Sequence, residues 1–116
     1  MREPFEEIGA YCQKVNTLIV VDAATTLGGY DVKVDDWGVD VCHGSSQKCL
    51  SVPPGLSPIA VSPEVMGVLR ARKTKVQSFY LDLLLLGKYW GEERVYHHTA
   101  PVSMFYALRE GLKIIF

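Results

Sequence analysis

Thr17-Leu18-Ile19-Val20-Val21-Asp22 decides the fold: a short run of β-branched or apolar residues closed by a carboxylate. An uninterrupted run of this length predicts a strand covered on both faces, the habit of parallel strands lying between helices. Upstream, Pro4 with Glu6 and Glu7 marks a helix start, with the carboxylates at the positive end of the dipole. Ile8, Tyr11, Cys12 and Val15 then fall at i, i+3, i+4 and i+7 and predict one buried stripe. Downstream, Leu27-Gly28-Gly29 reads as a turn and Val34 to Gly38 as a short helical turn. Val39 to His43 reads as a second strand. A loop from Gly44 to Lys48 and a turn at Pro53-Pro54-Gly55 lead to a third strand at Ile59-Ala60-Val61. Ser62-Pro63-Glu64 supplies an N-cap, a first-position proline and a first-turn acid for a helix reaching about Arg72. Leu81 to Trp90 is leucine-rich and helical. After Pro101, Met104, Phe105, Leu108, Leu112 and Ile115 share one helix face, opposite Arg109, Glu110 and Lys113.

Strand, crossover, strand and then helices define an α/β class with three adjacent strands. The last helix has no evident partner for its apolar stripe, and a three-stranded sheet leaves two open edges. The residues therefore read as part of something larger.

Composition narrows the function. The 116 residues hold 12 Lys+Arg and 13 Asp+Glu, with 48% hydrophobic residues, which fits one globular domain and excludes a disordered chain. A net charge of −1 gives no electrostatic footprint for nucleic acid or an acidic membrane. The leucine run is too short and too interrupted to span a bilayer, and Met1 to Glu7 carries three glutamates where a signal peptide would be basic. Cys12, Cys42 and Cys49 lack paired spacing and are expected as reduced thiols. The expected compartment is the cytoplasm, with a peroxisome or mitochondrion open for a eukaryotic chain.

Two residues carry chemistry. Asp22 ends the buried strand and Lys48 follows a small-residue loop, 26 residues later, at the C-terminal ends of neighbouring strands. In open α/β sheets ligands bind at those ends. An aspartate and a lysine together are what pyridoxal phosphate (PLP) requires, the amine bonding the aldehyde and the carboxylate pairing with the ring nitrogen. Spacing alone leaves open that Asp22 caps a helix and Lys48 is a solvated loop residue. His97-His98, with Cys42, His43 and Cys49, does not amount to a zinc site, since adjacent histidines point apart in regular structure; no metal is expected. Trp37 and Trp90 are expected in the core, and the Arg70 to Lys75 cluster at a solvated helix end.

Three stretches decide between these readings. Val21-Asp22-Ala23-Ala24-Thr25-Thr26-Leu27-Gly28-Gly29, Trp37-Gly38-Val39-Asp40-Val41 and Ser45-Ser46-Gln47-Lys48-Cys49-Leu50-Ser51-Val52-Pro53-Pro54-Gly55 are followed by Tyr96-His97-His98-Thr99 and Leu108-Arg109-Glu110-Gly111-Leu112. In this order they resemble the alanine–glyoxylate and serine–pyruvate aminotransferases, class V aminotransferases of PLP fold type I. The resemblance implies that Lys48 is the cofactor-bearing catalytic lysine and Asp22 the partner of the ring nitrogen. It implies Ala24 against the ring face, where the family often has valine, and Gln47 at the cofactor phosphate. Tyr96 and Thr99 would reach the phosphate of a neighbouring subunit, so a homodimer with shared sites is implied. Gln47 stands where cysteine desulfurases typically have histidine, which argues against that group.

The implied reaction is transamination between a small amino acid (alanine or serine) and a 2-oxo acid (glyoxylate or pyruvate). A ureidoglycine–glyoxylate or serine–glyoxylate reaction is the alternative within the class. The alternative outside it is a non-catalytic remnant or interaction module. The resemblance further implies that residues 1–100 are the C-terminal part of a large domain and 101–116 open a helix toward a small domain. A glycine-containing phosphate loop, a ring-stacking aromatic and a carboxylate-gripping arginine would lie outside these residues, so the chain is expected to be inactive alone.

Overall fold

In the computed structural model, which describes residues 4–115, three short strands form one sheet in the order β1 (Val20–Asp22), β2 (Val41–His43), β3 (Ile59–Val61). β1 and β2 are parallel, pairing Val20 with Val41, Val21 with Cys42 and Asp22 with His43. β3 runs antiparallel to β2, with Val41 opposite Val61. The helices are α1 (Phe5–Lys14), α2 (Pro63–Ala71), α3 (Leu83–Trp90) and α4 (Val102–Ile115). The chain forms two compact units, Met1–Ser62 with Pro101–Phe116, and Pro63–Ala100.

The first unit carries the sheet. Its core is Ile19, Val21, Ala23 and Cys42, covered by Phe5 and Cys12 of α1 and by Leu27, Val32, Val34 and Val39. Only one face of β1 is covered: Val21 is 4% exposed, whereas Val20 is 66% exposed and Leu18 is also open. The two-sided burial expected from the apolar run is thus corrected to a one-sided strand with alternating burial. The strand is also shorter than the run. The Asp40 carboxylate takes the Ile19 N–H at 2.9 Å, and the Ile19 carbonyl accepts from the backbone of Asp40 and Val41.

The buried face of α1 needs a second correction. Ile8, Tyr11 and Val15 are exposed; Phe5, Gly9 and Cys12 face inward. Gly9 causes the difference. A Cβ there would overlap the Trp37 carbonyl, so the helix can approach the 34–38 turn only through a residue without a side chain. Trp37 itself is buried, as expected.

α4 is not without a partner, contrary to the expectation for its stripe. Gly111 is buried against the Leu50 carbonyl, where an added Cβ would come within 2.5 Å, and Val52 lies beside it. Met104, Phe105, Leu108, Leu112 and Ile115 are half-buried, and Arg109, Glu110 and Lys113 are exposed, as the pattern predicts.

In the second unit α2 packs on α3. α3 starts at Leu83 rather than Leu81 because Asp82 is its cap, accepting from the N–H groups of Leu84 and Leu85. Trp90, expected in the core, is 49% exposed. No helix among the described residues is long and apolar enough to cross a membrane.

Candidate active site

The parallel pairing of β1 and β2 brings their C-terminal ends side by side. Each is followed by a tight loop. After β1, the Ala23 N–H donates to the His43 carbonyl, and the Asp22 carboxylate turns back to accept the Ala24 N–H at 2.8 Å. The same Asp22 oxygen lies 3.7 Å from Nε2 of His43, its register partner. Both side chains are exposed to solvent to a large extent.

After β2, Ser46 organises the loop. It is 0% exposed. Its hydroxyl donates to the Pro53 carbonyl at 2.8 Å and accepts the Leu56 N–H, while its own N–H donates to the Leu56 carbonyl and its carbonyl takes the Val52 N–H. The Ser51 N–H closes the turn onto the Lys48 carbonyl. Gln47 and Lys48 occupy the exposed crest of this pinned turn.

Two contacts tie the loops together. The Ser45 hydroxyl donates to the Ala24 carbonyl at 3.1 Å, and the Cys49 thiol donates to the Thr25 carbonyl at 3.2 Å. Asp22, the last residue of β1, and Ala24, Gln47 and Lys48, on the two loops that follow β1 and β2, therefore stand at one end of the sheet. Cys42, one residue before His43, has its thiol pushed above the ordinary 9.0 by burial first and by the charge of Asp22 second. It behaves as a core residue, not a nucleophile.

Tyr96 and Thr99 lie in the second unit. Their hydroxyls are 3.0 Å apart and both side chains are exposed. Between them, His97 and His98 do not point apart: their Nδ1 atoms meet at 2.8 Å, because the 96–99 segment is neither helix nor strand. The hollow along α4, lined by Phe105, Leu108, Arg109, Leu112 and Lys113, includes none of the candidate residues.

Sequence reasoning overlooked Ser45, Ser46, Cys49 and His43 as the parts that hold the loops. Register could have flagged His43, since a parallel partner of Asp22 must sit at the same strand end. The roles of the serines and Cys49 depend on carbonyls that are far away in sequence.

The chain is an α/β protein, with Asp22 and the Lys48 loop at the carboxyl end of two parallel strands, the end at which open α/β sheets bind ligands. The class V aminotransferase model matches residues 1–115, and the chain belongs to that family. It is 40% identical to the (S)-ureidoglycine–glyoxylate transaminase of Bacillus subtilis, over 97% of this chain and 31% of that protein. It is 41% identical to the alanine–glyoxylate aminotransferase of Drosophila melanogaster, over 97% of this chain and 29% of that one. The crystal structure of alanine–glyoxylate aminotransferase from Nostoc sp. superposes with a TM-score of 0.93 at 50% identity, over 97% of this chain and 30% of that chain. The α/β architecture expected from the resemblance is therefore borne out. The chain spans about three-tenths of the length of these relatives.

Proposed function

We propose that these residues form the cofactor-bearing part of a PLP-dependent aminotransferase that passes an amino group from alanine or serine to glyoxylate or pyruvate. The observation that supports this reading is the tie between the two strand-end segments, Ser45 to Ala24 and Cys49 to Thr25, which links the segment after Asp22 to the loop that carries Lys48. The donor set suits PLP: one amine for an aldehyde, one carboxylate for a protonated ring nitrogen, a small side chain between them and an amide beside the lysine. In this reading residues 1–100 belong to a large domain and 101–116 begin the helix toward a smaller one.

PLP, when bound, supplies an aldehyde that bonds amines and a protonated ring that takes up the electrons of the substrate α-carbon. Lys48 Nζ would be the amine that holds the cofactor and, as a free amine, would move the substrate α-proton as base and then acid. Asp22 would accept the ring N–H and, as an anion, would favour its protonated form. Its Ala24 N–H bond holds the carboxylate at a fixed angle. Ala24 would present a methyl group to the ring face. Gln47 would donate its amide to the phosphate of its own site, and Tyr96 and Thr99 would donate hydroxyls to that of a partner subunit, so that a homodimer would complete two sites. The (S)-ureidoglycine–glyoxylate reaction is the second reading, favoured by the 40% identity to the Bacillus subtilis relative; a panel of amino donors separates the two.

The test is a chimera in which these residues replace the matching stretch of the Drosophila melanogaster relative. It is expected to bind PLP, to become covalently modified at Lys48 on borohydride reduction, and to lose both modification and transamination with Lys48→Ala. A folded chimera that takes up no PLP, or a Lys48→Ala variant that keeps its rate, overturns the assignment.

A further inference from the structure

We infer that His97 and His98 form a latch, in one fixed pair of tautomers, that positions the 96–99 segment so that the Tyr96 and Thr99 hydroxyls act as a single receptor for a phosphate-type anion. The anion part rests on the assignment of Tyr96 and Thr99 made above; the latch rests on geometry alone.

His97 is only 7% exposed, although it is titratable and takes no part in the proposed chemistry. Its ring stacks on Phe79, with centroids 4.3 Å apart and planes 13° apart, and Nε2 is 2.8 Å from the Phe79 carbonyl. A carbonyl can only accept, so Nε2 of His97 carries a hydrogen. In the neutral ring Nδ1 is then bare and accepts. Its partner at 2.8 Å is Nδ1 of His98, which must donate. The chain of bonds therefore runs one way, from His98 Nδ1–H to His97 and from His97 Nε2–H to Phe79. It leaves His98 with its hydrogen on Nδ1.

Aromatic rings hold the second histidine in place. Tyr89 lies 5.0 Å from the His98 ring, Tyr80 lies 5.2 Å from it edge-on, and the two imidazoles are perpendicular at 89°. Both Nδ1 atoms are thus used within the pair, that of His98 as donor and that of His97 as acceptor.

With both imidazoles engaged inward, the residues on either side turn outward. Tyr96 is 72% exposed, and its hydroxyl meets that of Thr99 at 3.0 Å. One hydrogen is shared between the two oxygens and the other remains to be given. Because hydroxyls rotate, both can turn onto one anionic oxygen when it arrives. The backbone here lacks helix or strand bonding, and Arg94, two residues upstream of Tyr96, sits at φ 51°. A side-chain anchor to Phe79 therefore substitutes for secondary structure as the support of the segment.

Long-range proton–nitrogen NMR spectra of the full chain, at a pH where both imidazoles are neutral, test the latch. His97 is expected as the Nε2–H form and His98 as the Nδ1–H form, each without averaging. In His97→Phe, which keeps the stack and loses both bonds, the 96–99 amides should exchange about tenfold faster, and His97→Gln, able to donate to Phe79 again, should recover much of the protection. A His97 hydrogen on Nδ1, averaged tautomers, or unchanged exchange in His97→Phe overturns the proposal. If His97→Phe fails to fold, the wild-type tautomers still decide, and His98→Phe, which removes the donor alone, should free Nδ1 of His97. None of these readings needs a cofactor, so they succeed or fail independently of the Lys48 chimera.

Discussion

Replacing Asp40 with alanine removes two acceptors from the joint between the start of β1, the start of β2 and Ser62 after β3. Oδ2 takes the Ile19 N–H at 2.9 Å, and Oδ1 takes the Ser62 hydroxyl at 3.1 Å. The backbone of Asp40 bonds the same two residues, donating to the Ile19 carbonyl and accepting the Ser62 N–H at 2.7 Å, so the side chain reinforces a crossing that the main chain already makes. Ile19 is buried, and its N–H would lose its side-chain acceptor in the change. Hydrogen bonds to a charged group are each worth about 1.5–3 kcal/mol, and the half-buried setting puts this pair toward the low end. Asp40→Ala is expected to cost about 2–4 kcal/mol, a large share of the roughly 5–15 kcal/mol by which domains are stable. Asp40→Asn keeps one acceptor for Ile19, and the Ser62 hydroxyl can rotate to accept from the amide, so about 1 kcal/mol is lost. Ser62→Ala should cost about as much, and adding it to Asp40→Ala should cost little more, since the bond is already gone. Urea titration followed by the fluorescence of buried Trp37 measures all four variants, with the slope of the transition unchanged. An Asp40→Ala midpoint equal to the wild type, or full additivity with Ser62→Ala, would refute this account.

Two further outcomes follow from the same structure. Asp82→Ala should lower stability by about 1 kcal/mol and reduce helicity by circular dichroism, because two N–H groups of α3 lose their acceptor, whereas Asp82→Ser should stay near the wild type. Cys42 should react more slowly with a thiol reagent than Cys12 or Cys49 in the folded chain, and at an equal rate in urea. The folded thiol holds its proton above the unfolded value. Its contribution is therefore complete below the unfolded value and is lost as pH rises through the folded one, and Cys42→Ala should flatten the fall in urea midpoint as the pH rises above the ordinary 9.0.

What could be read from the sequence depended on how locally each feature is determined. Strand ends, helix caps and the apolar face of α4 follow from neighbours within a few residues, and the strands near 20, 41 and 59 and the helix at Pro63 appear where the pattern puts them. Asp22 and Lys48 stood out because charge at the end of an apolar strand requires a reason. The face of α1 was misread because two apolar stripes were available, and a glycine, which carries no hydrophobic signal, chose between them through the Trp37 carbonyl. The burial of β1 was misread because a continuous apolar run shows what a strand tolerates on each face rather than what covers it; Val20 remains open. Asp82 looked like a break in the leucine run, and its side chain begins α3. The expectation that His97 and His98 diverge assumed regular backbone, which the 96–99 segment lacks.

The division of labour between buried and exposed residues gives the site its meaning. In the proposed reading Lys48 accepts and returns a proton and so has to be accessible, and an accessible side chain gains little positional order from packing. Here the order comes from beneath. Ser46, wholly buried, makes four hydrogen bonds that fix the backbone on both sides of the Lys48 turn. Leu50, 4% exposed, anchors the end of that turn, and α4 comes down on its carbonyl through Gly111. Across the gap, Ala23 is 2% exposed and is tied to the His43 carbonyl, which sets the direction in which the Asp22 chain leaves β1. The backbones from which Asp22 and Lys48 extend are thus held by buried residues and by the bonds of Ser45 and Cys49 between the two segments. That arrangement lowers the ordering cost of binding and is the physical reason why loops of polar residues can hold a catalytic geometry.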